Sequence, residues 1–502
     1  MAYSTRMKNW PPSIAGTSIY LVGIKGTGMA ALAELLVQQG AHVSGSDVDD
    51  VFYTDAILRS LNIPVFQGFS ADNLPDDVAI VVHSAAWSVE NHPELIKARA
   101  RNLPIFEYTE ALGAFSSRTD SSGIAGVHGK TTTTAMAGTL VKKLAMHGSV
   151  LVGSAVANFN GRSTFSQGND FFIAETCEYR RHFLHFHPRR IIMTSLELDH
   201  TDYFKDYEDM ADAFLSYALR LPEGGRFIYC ADDAGACDIA SRVSANRKDI
   251  ALIPYGFSAE GDYRIVNYVC EAERQVFELD GFRNQAKSGN RSFVLKVPGK
   301  HNILNASAAL ALVTSIYTDR QGNLSPQIIN SMAAGLESFR GCKRRSELIG
   351  EARGVLFMDD YAHHPTAIRT TLDGFKRFFP TRRIVVDFMS HTYSRTRSLL
   401  EEFVKSFSSA DVVILHDIYA SARELPDPTL TGEIFFRKTC EHHSQVHYVP
   451  QHKDALPLLE ATLKPGDLFV TMGAGDNWKL GVQLFESWNN QTPHHEVPGA
   501  AS

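Results

Sequence analysis

The run Gly126-Val127-His128-Gly129-Lys130-Thr131-Thr132-Thr133-Thr134 has the residue types of a phosphate clamp. A lysine directly after glycine brings a cation to a transferring phosphoryl group, and the hydroxyls behind it offer a ligand to magnesium. Gly126 stands three residues before Gly129 rather than the five of the usual P-loop, so the loop is a variant of that pattern. The helix expected after it, over 131 to about 147 with Gly148 as its stop, aims the positive end of its dipole at the phosphates. The chemistry expected here is ATP binding by Gly126, His128, Gly129, Lys130, Thr131 and Thr132. Lys130 would meet the transferring group, and Thr131 or Thr132 would meet Mg2+.

A second glycine-rich loop, Gly23-Ile24-Lys25-Gly26-Thr27-Gly28, lies between the strand-like SIYLVGI and a helix-like stretch. Its order is GxxGxG, not the dinucleotide GxGxxG, and Asp47 closes the next strand at a distance where an acid could bind a ribose hydroxyl. It reads either as a nucleotide-binding loop or as a tight turn. A nicotinamide dehydrogenase would use such a loop but has no use for a lysine-threonine magnesium clamp. Two phosphate loops in succession suggest that one of them holds a nucleotide-linked substrate.

Acids and histidines cluster where apolar runs end. DFFIAETCEY closes on Glu175 and Glu178, and RRIIMTSLELDHTDYF breaks in the same way around His200. The carboxyl ends of strands form the ligand edge of an open α/β sheet, so these groups are either metal ligands or solvated turns. Glu178 and His200 are the preferred metal ligands beside Thr131, although imidazole is not the first choice of magnesium. Further on, MDDYAHHPT and SHTYSRTR place ionisable groups after two more strand-like runs. Arg345, Arg395 and Arg397 could grip phosphate or carboxylate in bidentate fashion, or could be surface charges in weak pairs.

The elements that must position these groups alternate between apolar strand-like runs and amphipathic helix-length stretches, the signature of the α/β class with parallel sheets. A length of 502 residues suggests about three domains. The divisions are expected at 1–118, 119–337 and 338–502, with the polar SSRTDSS (116–122) as the first linker and NNQTPHHEVPGAAS as a loose tail. Apolar residues at 44% and charged residues at 21% describe a globular protein. With 49 basic and 56 acidic residues the net charge is -7, so no global positive field draws the chain to nucleic acid or anionic lipid. The start lacks a signal-like pattern, and no apolar run is long enough for membrane insertion. Six cysteines without a CxxC pair read as buried free thiols in a cytoplasmic protein.

Taken in order, these segments resemble the Mur ligases from Gly23 to Gly481. The resemblance rests on GIKGTGMAALAELL with GSD (45–47), VVHSAAW, HGKTTTT, ELDHTDYF, PGKHNILNASAA, GCKRR, DDYAHHPT, HTYSRTR and PGDLFVTMGAGDNWKLG. Within the family they are most similar to the branch that joins L-alanine to UDP-N-acetylmuramate in peptidoglycan precursor synthesis. A sister branch that attaches a preformed peptide to the same sugar nucleotide is the nearest alternative. Retention of the lysine, glutamates, histidine and asparagines together argues against a non-catalytic regulator.

The resemblance implies a Rossmann-like N-terminal domain that binds the UDP-sugar, a central P-loop ATPase domain and a Rossmann-like C-terminal domain. It implies ATP and Mg2+ as cofactors, UDP-N-acetylmuramate and L-alanine as substrates, an acyl-phosphate intermediate, and a monomer or homodimer. By the same resemblance, Gly26, Thr27, Gly28, Met29, Ser46, Asp47, Ser84 and Ala85 lie at the UDP-sugar. Lys130, Glu178 and His200 are catalytic, with Thr131, Glu178 and His200 on the metal. Asn302 and Asn305 meet adenine, and their spacing puts both amides on one helix face. Arg345 and Asp360 reach ATP from the third domain, and His391 with Arg395 receives substrate and amino acid. The chain departs from the family at three places: EADESD is Glu175-Thr176-Cys177-Glu178-Tyr179-Arg180, TNIE is Thr194-Ser195-Leu196-Glu197, and the arginine after the histidine of HRYTR is Thr392.

Overall fold

Apolar runs too short to be buried as helices pair instead as strands, and three α/β units result. The computed structural model describes residues 10–201, 203–285, 292–420, 424–425 and 427–490. The tail beyond 490 lies outside the described residues.

In the first unit, β1 (Ser18–Val22), β2 (His42–Asp47), β3 (Val65–Gln67), β4 (Ile80–His83) and β5 (Ile105–Glu107) form an all-parallel sheet in the order β3-β2-β1-β4-β5. Strand order reverses between β1 and β4, so the loops after these strands border the crevice where open α/β sheets bind ligands. The glycine-rich loop 23–28 follows β1, and Ser84 and Ala85 follow β4.

The second unit is built on β6 (Asp120–Ala125), β7 (Gly148–Val156), β8 (Arg162–Ser166), β9 (Phe171–Glu175), β10 (Arg190–Met193), β11 (Arg226–Cys230) and β12 (Ala251–Tyr255). Their order is β12-β11-β10-β6-β9-β7-β8, parallel except for the edge strand β8. The polar run expected as a linker over 116–122 is therefore partly a central strand, and the connection shrinks to 117–119. Small residues suit this strand because helix Tyr207–Ala218 packs closely on it: a Cβ at Gly123 would lie 2.1 Å from the Tyr217 hydroxyl. Ser121 satisfies its own hydroxyl by donating to the Ser116 carbonyl at 2.9 Å.

The helix after the phosphate loop runs over Lys130–Lys143 and stops earlier than expected. Ala145 turns at φ 50° so that Met146 enters the core and Gly148 can begin β7. A three-stranded antiparallel sheet, β13 (Ile265–Glu271), β14 (Arg274–Leu279) and β15 (Ser292–Leu295), interrupts the parallel pattern before helix Lys300–Gln321. That long helix packs against Lys130–Lys143 and is buried along most of its length.

The third unit holds β16 (Glu347–Ala352), β17 (Val355–Asp360), β18 (Arg383–Met389), β19 (Val412–Leu415), β20 (Val446–Tyr448) and β21 (Asp467–Gly473). Their order is β16-β17-β21-β18-β19-β20, with β16 as the antiparallel edge. All six cysteines are free, but only Cys230 and Cys342 are buried; Cys177 and Cys440 are exposed because they sit in a loop and at a helix end. Among the described residues no helix is long and apolar enough to cross a membrane.

Candidate active site

Three neighbouring strands of the second sheet, β10, β6 and β9, deliver their carboxyl ends to one place. The phosphate loop leaves β6 and is braced from the side by the segment after β10. The Val127 amide donates to the Ser195 carbonyl at 3.1 Å, and the His128 amide donates to Ser195 Oγ at 3.0 Å. Thr194 Oγ1 donates to the Ala125 carbonyl at 3.1 Å. This brace leaves no room at Gly126, where φ is 131° and a Cβ would meet Thr194 Oγ1 at 2.1 Å. Gly129, at φ 82°, caps the helix and lies against Asn305.

Lys130, the first helical residue, donates from Nζ to both oxygens of Glu178 at 3.1 and 2.9 Å. Glu178 is 2% exposed, and His200 Nε2 stands 3.5 Å from its Oε1. Burial opposes charge on Glu178, but Lys130 and then His200 outweigh it and hold the carboxyl below its usual range. Burial likewise opposes the Lys130 ammonium, and Glu178 overcomes it, so its pKa is raised. The result is a buried, ionised acid beside an ammonium, an imidazole and the helix N-terminus, with Thr131 in the first turn and Thr132 half-buried next to it. An ionised carboxylate and a hydroxyl are hard donors of the kind Mg2+ takes. Glu175, the other strand-end acid, points elsewhere, into space left by Gly153, where a Cβ would lie 1.5 Å from its Oε1.

Asn302 and Asn305 share a buried face as expected from their spacing. Asn305 Nδ2 donates to Asn302 Oδ1 at 3.0 Å, Asn302 Nδ2 donates to the Pro298 carbonyl at 2.7 Å, and Thr133 Oγ1 donates to Asn305 Oδ1 at 3.2 Å. The pair thereby ties the long helix to the phosphate-loop helix.

The third unit comes into contact with this centre. Asp360 accepts from the Ser346 amide at 2.6 Å and from the Ala362 amide at 2.8 Å, which orders the loop after β17. The Arg345 guanidinium lies 5.0 Å from the Tyr361 ring. Arg395 bonds Asp199 of the second unit, and its Nη1 stands 3.4 Å from His391 Nδ1. His200, Thr201, His391, Thr392, Ser394 and Arg395 line a shared cleft, so His200 faces His391 and Arg395 across it. Arg397 instead pairs with Asp427 near the surface, away from this cleft.

In the first unit, Gly26 precedes helix Thr27–Gln38 and leads into Thr27, Gly28 and Met29. Thr27 Oγ1 accepts from the Tyr53 hydroxyl at 3.0 Å, and Gly28 lies against the Tyr108 ring. Ser46 and Asp47 support the loop from beneath: Asp47 Oδ2 accepts from the Lys25 amide at 2.6 Å, and the buried Ser46 hydroxyl bonds Glu94. Ser84 is half-buried and Ala85 exposed at the crevice edge.

Four residues of the centre were not singled out by spacing. Thr194 and Ser195 brace the loop, and Glu197 and Asp199 reach the third unit. The one available signal is a pair of acids, Glu197 and Asp199, close behind the strand-like run that becomes β10.

Comparison with known proteins finds relatives along nearly the whole chain. Three family models match in sequence: the Mur ligase family catalytic domain over 18–119, the Mur ligase middle domain over 124–313, and the Mur ligase glutamate ligase domain over 344–475. A UDP-N-acetylmuramate–L-alanine ligase of Treponema pallidum (strain Nichols) is 51% identical over 481 residues, covering 96% of this chain and 98% of the relative. The enzyme of the same name from Desulfitobacterium hafniense (strain Y51) is 41% identical, over 93% of this chain and 99% of the relative. Among solved structures, the UDP-N-acetylmuramate-alanine ligase MurC of Thermotoga maritima superposes with a TM-score of 0.74 at 25% identity, covering 95% of this chain and all of that one. On these matches and on the three-unit α/β architecture, the chain belongs to the Mur ligase family.

Proposed function

We propose that this protein is an ATP-dependent ligase that joins L-alanine to UDP-N-acetylmuramate in peptidoglycan precursor synthesis. The observation that carries the reading is the Lys130–Glu178–His200 cluster at the phosphate loop, facing His391 and Arg395 across a cleft in a chain half identical to enzymes of that name. The functional divisions are placed at 1–118, 119–337 and 338–502, and the reaction in the cytoplasm, where ATP and nucleotide sugars are available.

A carboxylate is a poor electrophile because its charge is delocalised, so ligation needs a leaving group. The lactyl carboxylate attacks the γ-phosphorus of ATP, the bond from that phosphorus to the bridging oxygen breaks, and ADP leaves with the electron pair. The α-amine of alanine then attacks the acyl phosphate carbon, loses its proton, and expels phosphate. Lys130 and the amides at the start of its helix neutralise charge on the transferring group. Thr131, Glu178 and His200 would hold Mg2+, which when bound adds further positive charge at the phosphates. Asn302 and Asn305 offer amide edges to adenine, and Gly26, Thr27, Gly28, Met29, Ser84 and Ala85 border the crevice for the UDP-sugar. His128, Gly129 and Thr132 line the triphosphate, while Arg345 and Asp360 approach it from the third unit. Water would destroy the acyl phosphate, so contact between the second and third units serves to exclude it.

The test is phosphate release with ATP, UDP-N-acetylmuramate and each amino acid or short peptide in turn, using substrate labelled with 18O in the carboxylate. Label in the released phosphate, dependent on alanine, is expected. Unlabelled phosphate, or release driven only by a peptide, would overturn the reading.

A further inference from the structure

We propose that His128, Glu197 and His364 form a binding site for a divalent transition-metal ion of the Zn2+ class, bridging the second and third units. Each residue directs one ligand atom to the same place, and the three atoms lie within 4.8 Å of one another. His128 Nε2 contacts Glu197 Oε1, and His364 Nδ1 stands 3.3 Å from that same oxygen.

The geometry around His364 asks for a cation. Its Nδ1 has one lone pair, which the Thr366 amide at the start of helix Pro365–Phe378 approaches at a long 3.3 Å and which an incoming ion would take over. Glu197 Oε1 lies 3.3 Å from the same nitrogen, a contact that calls for a positive charge between the two, supplied by a metal ion or by a proton. The ring cannot easily turn away: His364 is 5% exposed and lies 5.3 Å from the His128 ring, centroid to centroid. Glu197 is also held, with Oε2 accepting from Thr366 Oγ1 at 3.0 Å.

Two imidazoles and one carboxylate form the donor set of three-ligand zinc sites, which keep an open fourth position, whereas Mg2+ prefers oxygen. The site uses side chains other than those of the Lys130–Glu178–His200 cluster, although His128 belongs to the phosphate loop itself. Since His128 and Glu197 come from the second unit and His364 from the third, an ion here ties the two together without nucleotide.

The test is equilibrium dialysis of the full-length protein against Zn2+, without nucleotide or Mg2+, with bound metal counted by elemental analysis and Co2+ absorption as a report on coordination. Wild type and Glu178→Gln should each retain the same one ion per chain. His128→Asn and His364→Asn should each weaken it by about 10-fold or more. His128 is partly exposed, so its variant removes a ligand without opening the core. If wild type binds no more Zn2+ than His128→Asn, the triad shares a proton only and the proposal falls. It falls equally if Glu178→Gln alone removes the ion, which would then belong to the phosphate centre.

Discussion

Arg395 crosses from the third unit to the second and places both Nε and Nη2 at 3.0 Å from a single oxygen of Asp199. Both side chains are nearly buried, and the neighbouring His200 amide donates to that same oxygen at 2.7 Å. One acid thus orients a candidate metal ligand and holds a candidate substrate residue, so the position of the third unit is read out at the centre.

Loss of the Asp199 charge should therefore loosen the contact between units. Burial opposes this carboxylate, but Arg395 and then His200 and His363 hold it well below the usual range. A depressed folded pKa means a contribution present above the unfolded value of about 3.9 and lost as pH falls toward the folded one. The difference in Tm between wild type and Asp199→Asn is expected to be constant from neutral pH down to about 5 and to narrow below about 4. A gap that grows on acidification would contradict it.

Lys130→Ala should lower kcat/KM at least about 10²- to 10³-fold in phosphate release, as for loss of one charge-stabilising donor. It also strands the Glu178 carboxylate, at a cost of about 3–5 kcal/mol. Adding Glu178→Gln should restore much of that stability in chemical denaturation while leaving the enzyme inactive. A double variant no more stable than Lys130→Ala would show that no buried charge had been stranded, and effects of the two substitutions that simply add would show that the pair is not coupled.

Gly126→Ala should misplace the phosphate loop, because the methyl group collides with Thr194 and the required φ is unfavourable for alanine. A shift of about 1 Å at such a loop is worth roughly 100-fold in rate. Steady-state kinetics should show this loss with Tm lowered only modestly.

Ser195→Ala removes the acceptor of the His128 amide, a bond of about 1 kcal/mol. KM for ATP is expected to rise roughly 5-fold with kcat little changed, since the bond shapes the loop for ground state and transition state alike. A selective fall in kcat would assign Ser195 a part in the chemical step instead.

Much of the fold was legible because local pattern and tertiary demand agree. β1, β2, β4, β17, β18, β19 and β21 coincide with runs such as IYLV, IVVH and IVVDFM that have no better place than a doubly covered sheet. Where they disagree, packing decided: the polar DSSGIA becomes β6 because only small residues fit beneath Tyr217, and the end of helix Lys130–Lys143 was set by burial of Met146 rather than by Gly148.

The sequence alone determined which groups could handle phosphate, since a glycine-rich turn, a lysine and a helix start are contiguous and need no distant partner. Only the tertiary structure decided that Glu178 neutralises Lys130, that Asp199 claims Arg395, and that His128, Glu197 and His364 converge, because each relation joins strand ends or units far apart along the chain. Spacing encodes contacts within one turn or one strand; the order of strands in a sheet and the meeting of two units are set by burial summed over the whole molecule.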